Sequence, residues 1–158
     1  MGERAIAAVS EALQEMLANS LLREPPLIDS AKNVVFTSPA EVPRDRHTRL
    51  CIFLYRIYEH VPSRPEAMQS ERPLGFVLSY LIAAIGPDGA HLQHILGRVL
   101  RTLHQHSEWQ VRDAGGEQSL SLLRHPLEEA LQLWSALQTS YQCALQCNVR
   151  IVRLDDDL

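Results

Sequence analysis

A chain of 158 residues that is 46% hydrophobic and 22% charged has the composition of an ordinary globular protein and the length of one domain. Its net charge of -4 argues against a dedicated nucleic-acid binder, which carries a basic patch or stripe. No apolar run nears the roughly 18 residues of a membrane helix. Glu3, Arg4, Glu11 and Glu15 interrupt what would be a signal-peptide core, so cytoplasmic assembly without export or membrane insertion is expected.

Ile6, Val9, Leu13, Met16 and Leu17 recur at three- and four-residue spacing, which predicts a helix over Ala5–Leu22 closed by Pro25 and Pro26. A short strand, Asn33–Thr37, is stopped by Ser38-Pro39, and residues 40–48 form a polar, charged loop. Leu50–Glu59 and Leu74–Ile85 read as long strands joined by the proline-bearing stretch Val61–Pro73, an exposed connection. Gly86-Pro87-Asp88-Gly89 is a strong turn. A helix over Ala90–His106 then puts Leu92, Ile95, Leu96, Val99, Leu100 and Leu103 on one side and His94, Arg98, Arg101 and Gln105 on the solvent side.

Trp109–Val111 and Gln118–Leu123 flank Asp113-Ala114-Gly115-Gly116 and predict a small hairpin. A third helix starts near Pro126 with Glu128 and Glu129 in its first turn, and Leu127, Ala130, Leu131, Trp134 and Leu137 form its stripe. The last strand, Gln142–Leu154, alternates. Cys143, Leu145, Cys147, Val149 and Ile151 face one way, and Gln146, Asn148 and Arg150 the other. Asp155-Asp156-Asp157 forms an acidic tail.

This order predicts an α+β two-layer sandwich with a mostly antiparallel sheet and three helices on one face. The whole of residues 1–158 reads as a single domain with its core over about 5–154. Both long strands are apolar on both faces. In the first, Leu50, Ile52, Leu54 and Tyr58 point one way and Cys51, Phe53, Tyr55 and Ile57 the other. One layer of helices covers one face, so the other is expected to be shielded by sibling copies in a homo-oligomer.

The residues offer little for catalysis. His91 and His94 lack the intervening glutamate of a zinc helix, and no serine-hydrolase elbow or phosphate-binding glycine loop is present. Cys51, Cys143 and Cys147 fall in apolar strand patterns and read as buried free thiols. No enzyme activity, metal or cofactor is expected. The alternative is an intracellular enzyme or small-ligand-binding α+β protein with a pocket between helix layer and sheet. The charged loop Arg44-Asp45-Arg46-His47, with Arg49 after it, suits contact with an acidic partner. Arg150 and Arg153 on the last strand suit a polar edge that accepts a partner strand.

Several stretches together carry a family likeness: Val34-Val35-Phe36-Thr37-Ser38-Pro39, Phe53-Leu54-Tyr55-Arg56, Leu96-Gly97-Arg98-Val99-Leu100, Leu133-Trp134-Ser135-Ala136-Leu137 and Val149-Arg150-Ile151-Val152-Arg153. In order and spacing the chain resembles the N-terminal domain of the cap, or tail-terminator, proteins of phage-tail-like contractile injection systems, of the antifeeding-prophage and virulence-cassette type. The resemblance implies a structural ring, expected to be hexameric, on the inner tube protein and sheath protein. Such a ring stops polymerisation, closes the tube over its cargo and ties the last sheath layer to the tube. It implies neither whether the particle is released nor which residues face the lumen.

Overall fold

The computed structural model describes residues 3–60, 75–111, 114, 117–123 and 126–152, the account of residues 117 and 152 being confined to their backbone. The expected connection 61–73, the hairpin turn other than Ala114, and Arg153 with the acidic tail lie outside the described residues.

In chain order the elements are α1 (Ala5–Leu22), β1 (Val34–Val35), β2 (Arg49–His60), β3 (Gly75–Ile85), α2 (Gly89–Gln105), β4 (Glu108–Trp109), β5 (Glu117–Leu122), α3 (Leu127–Ala136) and β6 (Leu145–Val152), with short 3-10 turns at Ala31–Asn33 and Pro39–Glu41. The six strands form one sheet in the order β1-β2-β3-β6-β5-β4. Among the described residues only the β1–β2 pair is parallel. This is the expected α+β arrangement of a mostly antiparallel sheet.

Local chemistry sets the boundaries. Asp88 caps α2, its Oδ1 accepting from the Ala90 and His91 amides at 3.1 and 3.3 Å. Ser38 accepts from the Ala40 amide, and Pro39 opens the 3-10 turn that ends the β1 segment. That segment is only two residues long, shorter than the five expected. Gly75 is required where β3 begins, because a Cβ there would stand 2.5 Å from the His60 carbonyl oxygen.

The first face of the sheet carries the main core. Val9, Leu13, Leu17 and Leu21 of α1, with Ile95, Val99 and Leu103 of α2, pack on Leu50, Ile52, Leu78, Ile82, Val149 and Ile151. Two hydroxyl pairs lie inside it: Ser20 with Thr102 at 2.6 Å between the helices, and Ser10 with Tyr80 at 2.7 Å between helix and sheet. Between α1 and the sheet a hollow of about 390 Å³ remains, lined by Ser10 and Glu11 of the helix with Phe36, Phe53, Leu54 and Tyr80.

The second face departs from expectation. Trp134 of α3 and Val42, just past the Pro39–Glu41 turn, pack on Cys51, Leu81, Ala83 and Ile85. The three helices therefore do not share one face: α3 lies opposite α1 and α2. The apolar surface assigned to sibling copies is here sealed by the chain itself, so the bare-face argument for an oligomer does not hold.

α3 is also rotated from its predicted stripe. Leu127 and Leu131 are 61% and 44% exposed, while Trp134 is 2% exposed with Leu133 and Leu137 packed beside it. The contact runs through Leu133, Trp134 and Leu137 because the short helix leans on the sheet by its C-terminal turn.

A bulge changes the alternation of β2. Leu54 pairs with Tyr80 and Arg56 with Ser79, leaving Tyr55 as the extra residue. Beyond it the parity reverses, so Ile57 aligns with Leu78 on the first face and Tyr58 with Val77 on the second. Strict period-two counting had placed both the other way round.

Candidate partner-binding surface

The loop after the Pro39–Glu41 turn is braced from within. Asp45 Oδ1 accepts the His47 amide at 2.8 Å. The Arg49 guanidinium, fixed at the start of β2, forks onto both Asp45 carboxylate oxygens at 2.8 and 3.1 Å. The same guanidinium reaches the Pro43 carbonyl at 3.4 Å. The Arg49 side chain, followed by the His47 amide bond, holds the exposed Asp45 carboxyl down at about 2.

The five loop candidates therefore divide into two sets. Arg49 and Asp45 neutralise each other and fix the loop's shape. Arg44, Arg46 and His47 are exposed, and neither arginine has an acidic partner among the described residues. The loop lies beside the turn leading into α2, where Pro43, Arg44 and Asp45 line a small hollow with Ile85, Gly86 and Pro87.

Arg150 does not lie on a sheet edge. Its strand, β6, is hydrogen-bonded to β3 on one side and β5 on the other. Main-chain pairing through β6 is therefore closed. The alternating sequence had looked like an edge because its polar residues line one face of a central strand. Arg150 is exposed on the second face, opposite Val77 and Ser119. Arg153 lies outside the described residues.

Around Arg150 the second face turns polar. Ser79 Oγ donates to Asn148 Oδ1 at 2.7 Å, and Asn148 Nδ2 donates to the Tyr58 hydroxyl at 3.4 Å. Gln146 Nε2 donates to the Tyr55 hydroxyl at 3.4 Å, and Arg56 stacks 4.5 Å from the Tyr58 ring centre. The bulge makes this patch, because it turns Arg56 and Tyr58 toward Ser79 and Asn148.

Cys51, Cys147, His91 and His106 are occupied structurally. Burial pushes the Cys51 and Cys147 thiols up to about 11 and about 12, the opposite of an activated nucleophile. Cys143 departs from the sequence reading: it is exposed and precedes β6 rather than lying inside it. His91 Nε2 donates to the Leu27 carbonyl at 2.8 Å and His106 Nδ1 to the Thr102 carbonyl at 2.7 Å. Arg98, expected in solvent, donates to the carbonyls of Ser20, Arg23 and Pro25 and so ties the end of α1 to α2. Among the described residues no group of three His, Cys, Asp or Glu side chains is placed to hold a metal.

Sequence reasoning missed one feature, a groove of about 570 Å³ between α1, the end of α2 and the start of the hairpin. Glu11 and Glu15 line one wall, and Gln105, His106, Trp109 and Gln110 line the other. Ala7, Glu11, Glu15 and Asn19 recur every four residues along the outside of α1, and that stripe was the available signal.

A family model described as the Pvc16 N-terminal domain matches residues 8–158. Two cryo-EM structures share the fold. One is the PVC sheath/tube terminator of an extracellular contractile injection system in its extended state, with a TM-score of 0.67 and 17% identity over 99% of this chain and 59% of that one. The other is the tube-terminating cap of the anti-feeding prophage, with a TM-score of 0.62 and 17% identity over 95% of this chain and 55% of that one. This chain thus spans somewhat more than half the length of either neighbour. No curated protein matches at a significant level. With the family match running from the second turn of α1 through the last strand and beyond, this chain belongs to the Pvc16 N-terminal domain family.

Proposed function

We propose that this protein is a structural terminator of a contractile injection particle. It seats on the end of the inner tube, closes it, and anchors the last layer of sheath. The observation that carries this reading is the fold match over 99% of the chain to a sheath/tube terminator, joined to the family match over residues 8–158. The architecture suits the role. The packed sheet stiffens the body, while the described surface carries a braced cationic loop and a polar sheet patch.

In this reading residues 1–158 form one terminator unit that assembles as a homo-oligomeric ring, a hexamer in the family likeness, in contact with tube protein and sheath protein. It needs no cofactor, nucleic acid or membrane insertion. Arg44, Arg46, His47 and Arg150 are its exposed contact residues, and Arg49 holds the loop in shape. Many copies of a weak contact give a stable ring by avidity, so no single residue has to dominate. No helix among the described residues is long and apolar enough to cross a membrane, in keeping with a component of a particle.

Deletion of the gene in a particle-producing strain, followed by electron microscopy, tests the proposal. Tubes and sheaths of uncontrolled length or particles with open ends are expected. Particles of normal length with closed ends would overturn it.

A further inference from the structure

Two surface features stand at opposite ends of α2. The braced loop lies beside Gly86 and Pro87, at the helix N-terminus, and the acidic groove lies beside Thr102, Gln105 and His106 at its C-terminus. Seventeen helical residues separate the ends by about 25 Å. Within the chain neither Arg44 nor Arg46 is paired with Glu11 or Glu15 among the described residues.

The two features are complementary. Glu11 and Glu15 stand one turn apart, about 6 Å along α1. Arg44 and Arg46 are alternate loop residues, so their Cα atoms lie within about 7 Å of each other. None of these four has an ion-pair partner among the described residues. Asp45, the one acid inside the loop, is neutralised by Arg49, leaving the loop cationic. Trp109, half-buried on the opposite wall of the groove, offers a face on which a guanidinium stacks. Arg23 also lines the groove, but eight residues past Glu15 and therefore about 12 Å further along the helix. The loop is held in place before any partner arrives, which lowers the ordering cost of docking.

We propose that the loop Pro43–Thr48 of one copy seats Arg44 and Arg46 against Glu11 and Glu15 in the α1–α2 groove of a second copy. Donor and acceptor surfaces differ, so the contact is head-to-tail. Repetition with a closing rotation gives a ring. The inference rests on the ring reading above and identifies the surfaces that would build it.

The test is a charge exchange in the full chain, read by sedimentation velocity at low salt, with circular dichroism as the check on folding. One variant carries Arg44→Glu and Arg46→Glu, the other Glu11→Arg and Glu15→Arg. All four side chains are exposed, so both variants are expected to keep the native spectrum. Each alone should associate about tenfold more weakly than the native chain, or worse. An equimolar mixture restores opposite charges at every junction and should recover native assembly. If both variants assemble like the native chain, the docking surfaces are wrong while the ring survives. A mixture of folded variants that stays dissociated also rejects this pairing. If the native chain itself keeps single-chain mass at the highest concentration reached, the ring reading falls and the docking inference falls with it.

Discussion

Replacing Trp134 by alanine tests how the second face of the sheet is built. The indole is 2% exposed and packs on Cys51, Leu81, Ala83 and Ile85, with the Tyr141 ring edge-on at 6.0 Å. Truncating a buried tryptophan costs about 3–5 kcal/mol, a range that includes the cavity left when its neighbours collapse only in part. At roughly 2–4 °C per kcal/mol for a chain of this length, the melting midpoint should fall by about 6–20 °C. Leu127→Ala and Leu131→Ala remove side chains already 61% and 44% exposed, and each should cost less than about 1 kcal/mol. Urea unfolding followed by circular dichroism, with the slope checked for constancy, compares the three variants directly. If either leucine variant costs as much as Trp134→Ala, α3 buries its predicted stripe and its placement opposite α1 and α2 is wrong.

Thiol labelling under native conditions at pH 8 should modify Cys143 quickly and leave Cys51 and Cys147 protected until unfolding, so a count of three fast thiols by mass spectrometry would contradict the burial of two. Gly97→Ala, in the exposed middle of α2 with nothing near its added methyl, should stabilise the chain by about 0.4–1 kcal/mol in the same urea assay. Gly75→Ala forces a Cβ to 2.5 Å from the His60 carbonyl and should destabilise it by about 1–3 kcal/mol, and equal effects from the two substitutions would be the wrong result. The Asp45 carboxyl, depressed to about 2 from 3.8, keeps its brace at neutral pH and loses it as pH falls through that lower value. NMR titration should show that low midpoint, with the His47 amide exchanging faster once Asp45 is protonated; an ordinary midpoint would mean the Arg49 fork is absent in solution.

The elements were largely legible because their signals are local. The apolar spacing in α1 and α2, the Gly86–Gly89 turn and the alternation of β6 each announce one element within a dozen or so residues. Misreadings arose where distant segments decide the outcome. Nothing near Tyr55 marks it as a bulge, since that depends on its register with Tyr80 and Ser79. Position in the sheet decided whether Arg150 lay at an edge, and the side chosen by α3 depended on where Trp134 found a cavity. Of the candidate surface, the Arg44–Arg49 loop could be read directly as a local cluster of charged residues. Its internal fork could not, because Asp45 and Arg49 were counted as two charges rather than as a pair that cancels. The groove draws on residues about 90 positions apart, such as Glu15 and Gln105, and no local pattern links them.

β1 pairs with β2 at Leu50 and Cys51 only, so from Ile52 onward the outer rim of β2 has no ladder partner among the described residues. A rim of that length offers unspent amide and carbonyl groups to any extended peptide, and proteins stored at high concentration clump through such rims. The charges of Arg56 and Glu59 and the kink at Tyr55 are the deterrents this chain supplies. Neutralising both charges would leave each molecule's fold intact and shorten its shelf life.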